Sequence, residues 1–183
     1  MLVKILIGVA VVVVVLVIVV ATRPAAFRIE RSIRISAPPT SAFALVNDFH
    51  KWSTWSPWEK MDPDLKRTYE GAERGQGAVY SWTGNKKVGE GRMTIEQSNE
   101  NSKIEIKLEF FRPFKATNTA TFTFVPQADG TQVSWAMDGS NNFMGKAFHM
   151  LIDMDKMIGA DFERGLAAMK DNAERNSSSV ARN

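Results

Sequence analysis

Residues 103–125 read KIEIKLEFFRPFKATNTATFTFV, and their alternation decides the fold. Ile104, Ile106, Leu108 and Phe110 alternate with Glu105, Lys107 and Glu109. After Pro113, residues Ala116, Asn118, Ala120, Phe122 and Phe124 alternate with Thr117, Thr119, Thr121 and Thr123. A strict period of two over this length predicts two half-buried strands, one apolar face each, joined at the proline. The same punctuation extends outward. Upstream, 66–70, 78–83 and 87–97 are short strands separated by the Gly71–Gly77 and Gly84-Asn85-Lys86 turns. Downstream, Asp129-Gly130 turns the chain into 131–137, where Val133, Trp135 and Met137 share a face. Six consecutive strands with short connections form an antiparallel meander. Phe27, Ile29, Ile33 and Ile35 alternate with Arg28, Glu30, Ser32 and Arg34 and add an earlier strand.

Helical signals flank the meander. Pro39 suits the first turn of a helix over Thr40–Asp48. In WSTWSPWEKMDPD, residues 52–64, Trp52, Trp55 and Trp58 recur every third position and share one side of a helical or turn segment. Beyond the last strand, Met144, Phe148, Leu151, Met154, Ile158, Phe162, Leu166 and Met169 draw one apolar stripe along a helix expected from Met144 to Arg175. Gly159 within it implies a kink or a close approach. The remaining NSSSVARN, 176–183, reads as a disordered tail.

The N-terminus differs in kind. Ile5–Thr22 is an uncharged run of 18 residues, reaching roughly 27 Å as a helix, close to the hydrocarbon thickness of a bilayer. A signal peptide is the rival, but its apolar region is normally shorter and Val20-Ala21-Thr22 is a weak cleavage site. An uncleaved single-pass anchor is expected, with the lipid bilayer contacting residues 5–22. Arg23, Arg28, Arg31 and Arg34 against Lys4 lean the C-terminal domain toward the cytoplasm, unless the later arginines belong to the strand. The chain thus divides into an anchor and linker, 1–26, a folded domain, 27–175, and the tail, 176–183.

Composition narrows function by exclusion. Of the net +3, Lys4 and Arg23 supply two, so the folded part is almost neutral and carries no footprint for nucleic acid. Without cysteine there is no thiolate chemistry, and two histidines, His50 and His149, make a poor metal site. No Ser-His-Asp order, HExxH, P-loop or GxGxxG occurs. No cofactor, no metal and no catalytic residue are assigned.

The order strand, small helices, six-stranded meander and long helix, with the APP helix start, the WSPWE segment, the WTGN…VGEGRM hairpin and the NNFMGK…DMDKMIGADFERGL helix, resembles the START-like SRPBCC superfamily, most closely its bacterial polyketide cyclase/dehydrase-type proteins. The resemblance covers about 27–172. It implies an α+β helix-grip fold, a curved antiparallel sheet wrapped around the C-terminal helix with an apolar cavity between. On that fold the expected cavity is lined by Tyr80, Trp82, Phe110 and Trp135 on the sheet, Trp58 at the mouth, and Met144, Phe148 and Met154 on the helix.

Three further residues have two readings each. Gly91 is expected to leave cavity space, with a bulge or close approach as the alternative. Asn118 places an amide on an apolar face, where an internal partner is favoured over a ligand. Glu59 is an acid among tryptophans, but Ser56, Pro57 and Glu59 have the spacing of a capping box, which is the preferred reading. The expected activity is binding of a small hydrophobic molecule, a lipid or polyketide-like compound, by a membrane-anchored module. A cyclase or dehydratase using the same cavity is the alternative.

Overall fold

A computed structural model describes residues 1–180, leaving aside the side chains of residues 149, 151, 179 and 180. The elements are α1 (Leu2–Thr22), β1 (Ala26–Ile35), α2 (Pro39–Val46), two short 3-10 helices (Phe49–Thr54 and Pro57–Lys60), β2 (Lys66–Gly71), β3 (Ala78–Thr83), β4 (Glu90–Asn99), β5 (Lys103–Arg112), β6 (Ala116–Gln127), β7 (Gly130–Ser140), α3 (Phe143–Leu151) and α4 (Met154–Val180). The seven strands form one sheet in the order β1-β7-β6-β5-β4-β3-β2, every neighbour pair antiparallel. The meander is therefore β2 to β7, and β1 closes onto its last strand with Ile29 opposite Met137 and Ile33 opposite Val133. Register shifts between β4 and β5, at Glu90/Gly91 and Ile95/Gln97, bend the sheet.

Helix α4 grips the concave face. Phe162, Leu166, Met169 and Ala173 are buried against Ile35, Ile104, Ile106, Phe122 and Val133. Burying each of the larger side chains contributes about 1.5–3 kcal/mol. The spacing of three in the tryptophan segment does produce 3-10 turns. Trp52 and Trp55 are buried, their indole nitrogens donating to the Val46 and Leu45 carbonyls at 3.0 Å each.

Two expectations about the C-terminal helix are corrected. The stripe from Met144 runs through two helices, not one. Ile152 is extended (φ −128°, ψ 127°), and Asp153 Oδ1 accepts from the Lys156 backbone N–H at 3.0 Å, capping α4. Apolar periodicity continued across the break and concealed that cap. At Gly159 the close approach is the one realised: the glycine admits the Arg31 guanidinium, which a Cβ would overlap and which pairs with Asp155 and Glu163 at 2.9 Å each. The expected tail is helical from 176 to 180: the Ser177 and Ser178 hydroxyls donate to the carbonyls four residues back, and Ser177 meets Ser41 of α2 at 2.8 Å. Residues 181–183 and the His149 side chain lie outside the described residues.

Helix α1 is long and apolar enough to cross a membrane, with mean hydropathy 3.4 over its best window; a signal sequence shares these features. Apart from Val19 and Val20, its large side chains are exposed. Arg28, Arg31 and Arg34 lie in β1 and pair with Asp138, Asp155 and Asp129, so their charges belong to the folded domain and are balanced there. The lean toward a cytoplasmic domain loses that support.

Candidate functional site

A cavity of about 340 Å³ lies between the concave sheet and the N-terminal half of α4. Strand alternation aims Tyr80 and Trp82 of β3, Met93 of β4, Leu108 and Phe110 of β5, Ala120 of β6 and Trp135 and Met137 of β7 into it. Trp58 and Met61 close one side, and Met157, Ile158 and Phe162 of α4 close the other. Lys87 and Met157 are exposed as well as lining, so the cavity reaches the surface between the 84–89 turn and α4. Its floor is an aromatic stack. Trp135 lies parallel to Phe162 (centroids 4.1 Å, 7°) and near-parallel to Phe122 (4.9 Å, 27°), with Trp55 and Trp58 edge-on at 5.5 and 5.6 Å. Rings held by rings keep a cavity open, since none can fold into the space without losing its own stacking.

Ser56, Glu59, Lys87 and Asp161 are the polar lining residues besides the tyrosine and tryptophans, and the Glu59 side chain is only 6% exposed. Oε1 accepts the Tyr80 hydroxyl at 2.5 Å, and Oε2 pairs with Arg67 Nε at 2.7 Å. Burial, chiefly, and then the Glu59 carboxylate hold the Tyr80 phenol well above its ordinary range. The capping-box expectation is thereby overturned. Ser56 makes no side-chain cap bond, and the carboxylate turns inward to a phenol 21 residues on. The spacing was right for a cap, but two long-range donors outcompete one local amide. A second buried acid, Asp62, is structural, accepting backbone N–H groups of Asn85 (2.6 Å) and Asp64 (3.1 Å). Trp135 Nε1 is buried with no hydrogen-bond partner among the described residues.

Of the residues expected at the site, Trp58, Tyr80, Trp82, Phe110 and Trp135 line the cavity together, and five do not. Gly91 leaves no space: a Cβ there would overlap the Glu109 carbonyl oxygen and the Trp82 ring, so the glycine permits close packing. Asn118 donates to Met137 Sδ at 3.7 Å and stays out of the cavity, with Met137 between. Met144 and Phe148 fall on α3, 72% and 48% exposed, because the helix break turns that segment off the sheet. Met154 borders a shallow cleft beside Phe27 and Ile29. Met61, Leu65, Val88, Met93, Leu108, Ala120, Met137, Met157, Ile158 and Phe162 complete the apolar wall. Several were legible as inward strand positions, but no local signal separated cavity wall from solid core. Glu59 was the real omission.

His50 has a carboxylate partner that the sequence did not suggest: Nδ1 lies 3.0 Å from Asp48, and the ring stacks on Tyr69 at 4.1 Å, away from the cavity. Among the described residues, no group of three His, Asp or Glu could hold a metal. The arrangement can therefore enclose a small apolar molecule, with the Glu59–Tyr80 pair and the Ser56, Lys87 and Asp161 side chains as its polar points.

Comparison with known proteins gives the same picture. No curated protein matches the chain. Among solved structures, it is similar to a Chromobacterium violaceum protein (TM-score 0.57, 14% identity, 82% of this chain and 99% of that one). It is similar also to a Thermobifida fusca protein solved by NMR (0.60, 21%, 81% and 93%). The di-domain ARO/CYC StfQ of the steffimycin biosynthetic pathway matches over 84% of this chain but 52% of its own (0.62, 13%). At these identities the likeness is one of fold, the helix-grip. Residues 26–174 match the family described as polyketide cyclase / dehydrase and lipid transport, and the chain belongs to that family.

Proposed function

We propose that the protein is a membrane-anchored module that binds a small hydrophobic molecule, lipid or polyketide-like, in the cavity between sheet and α4. The observation that carries the reading is the cavity itself: about 340 Å³, walled mostly by aromatic and aliphatic side chains, with few polar residues among them. Such a lining rewards apolar area and orients a ligand through few contacts. Helix α1 supplies the anchor.

A cyclase or dehydratase is the second reading, and Glu59 with Tyr80 is what favours it. Both Glu59 oxygens are already engaged, by Tyr80 and Arg67, which suits a fixed polar point better than a base free to take a substrate proton.

The test is uptake of an environment-sensitive apolar dye by the detergent-extracted chain, with Ala120→Phe filling the wall from a position that is 5% exposed. Dye uptake is expected in the wild type and lost in the variant, with native mass spectrometry showing a co-purified apolar molecule only in the wild type. A folded variant that takes up the dye as well as the wild type would overturn the assignment of this cavity as the binding site.

A further inference from the structure

The end of the sheet from which the cavity opens is also the end at which α1 joins the domain. Ala26, the first residue of β1, pairs with Ser140, the last of β7. Across the sheet the same end holds the start of β6 (Ala116 opposite Phe110), the end of β5 (Arg112 opposite Glu90) and the end of β3 (Thr83 opposite Glu90). The 84–89 turn, the 113–115 turn and the start of α3 therefore lie at one end of the sheet, the end at which the mouth marked by Lys87 and Met157 opens. This end exposes unusual apolar surface: Phe114 is 80% exposed, Met144 72%, Phe148 48% and Phe143 45%.

Helix α3 is tied to α1. Lys146 Nζ donates to the Ala21 carbonyl at 3.3 Å, and the Asn141 N–H to Ala25 O at 2.8 Å. The 21 residues of α1 reach roughly 31 Å, a hydrocarbon thickness, so a spanning α1 puts Ala21 at the interface, and α3 beside it. Phenylalanine and methionine on a short helix at that depth bury in the headgroup boundary. Lys86, Lys87 and Lys115, exposed at the same end, suit the phosphate layer.

We propose that this end of the domain rests on the bilayer, with α3 and the Phe114 turn inserted in the interface and the cavity mouth against the lipid, so that the apolar ligand enters from the membrane and not from water. The proposal rests on α1 being a membrane anchor, and the experiment separates the two.

The chain contains no cysteine, so single labels are clean. The full chain is reconstituted into phosphatidylcholine–phosphatidylglycerol vesicles carrying a polarity-sensitive fluorophore at Phe114→Cys, Phe148→Cys or Lys87→Cys. Val12→Cys reports on α1, and Glu100→Cys on the opposite end of the sheet. Quenching by spin-labelled lipid is expected to be about threefold stronger at 114, 148 and 87 than at 100, as for groups in the headgroup boundary. Strong quenching at 12 with 114 and 148 no better quenched than 100 overturns the proposal and leaves the anchor standing. No lipid quenching at 12 overturns the anchor and the proposal with it. Quenching at 114 and 148 without quenching at 87 overturns entry from the membrane. A label at 148 shielded from water but not quenched by lipid, in a concentration-dependent way, assigns the surface to a second copy of the chain and also refutes the proposal.

Discussion

Trp135 permits a sharp test because it combines the best-packed ring of the domain with an unpaired buried donor. Trp135→Ala removes an indole that is 3% exposed and stacked between Phe162 and Phe122, with Trp55 and Trp58 edge-on. Truncation of a large buried aromatic costs about 3–5 kcal/mol, toward the upper end where neighbours cannot collapse, and four aromatic rings fix this site. Removing the unpaired N–H returns about 1–3 kcal/mol, so the expected net loss is about 3 kcal/mol. Trp135→Phe keeps a ring in the stack and deletes the N–H. Its packing loss, about 1 kcal/mol for a near-volume swap, is offset by the relieved donor, and stability should stay within about 1 kcal/mol of wild type.

The assay is urea unfolding in detergent, followed by far-ultraviolet circular dichroism because tryptophan emission changes with the substitution. Thr121→Ala, on the other face of β6, is the register control and should cost about 0.5 kcal/mol. If Trp135→Phe loses as much as Trp135→Ala, the indole N–H has a partner and the unpaired-donor reading is wrong. If Thr121→Ala matches Trp135→Ala, the faces of the late strands are misassigned.

Two other outcomes follow from the polar point. Glu59→Gln leaves Tyr80 an acceptor and Arg67 a path to solvent, so it should cost about 1–2 kcal/mol in urea unfolding while dye uptake persists; a folded variant without uptake would mean that the carboxylate touches the ligand. Alkaline unfolding should report Tyr80: its folded-state pKa is raised above the ordinary value near 10, so the contribution is complete below pH 10 and is lost as pH rises beyond it, by at most about 1.4 kcal/mol per pH unit. Tyr80→Phe should flatten that dependence, and a slope unchanged by the substitution would place the titration elsewhere, Tyr69 being raised in the same sense.

The fold was legible because its determinants are local and redundant. Ile104, Ile106, Phe122 and Val133 sit at inward positions of alternating segments, and a one-residue slip of any strand would expose them together. The short turns at Gly84–Gly89 and Asp129-Gly130 then leave the meander little topological choice. The helix break was not legible, because Met150, Ile152 and Met154 continue an apolar pattern through it. Only the Asp153 cap marks the boundary, and Asp is common in continuous helices too.

Site residues were legible to the extent that parity decides them. Period two says which face a residue occupies but not whether it meets a void or another atom, and two of the strand positions show it. Gly91 and Asn118 are on the inner side of their strands, yet one faces the Trp82 ring and the other sits behind Met137. Met144 and Phe148 share the stripe of Phe162 in sequence but belong to another helix in space. Glu59 shows the converse. Its local spacing satisfied a cap, while the partners that decide its position, Tyr80 and Arg67, are brought to it only when β2 and β3 pair across Tyr69 and Tyr80. A carboxylate's role is set by the donors that reach it with least desolvation, and for Glu59 those donors exist only in the folded sheet. The polar point of the cavity is thus a product of tertiary structure, whereas its aromatic wall is already written in the alternation of single strands.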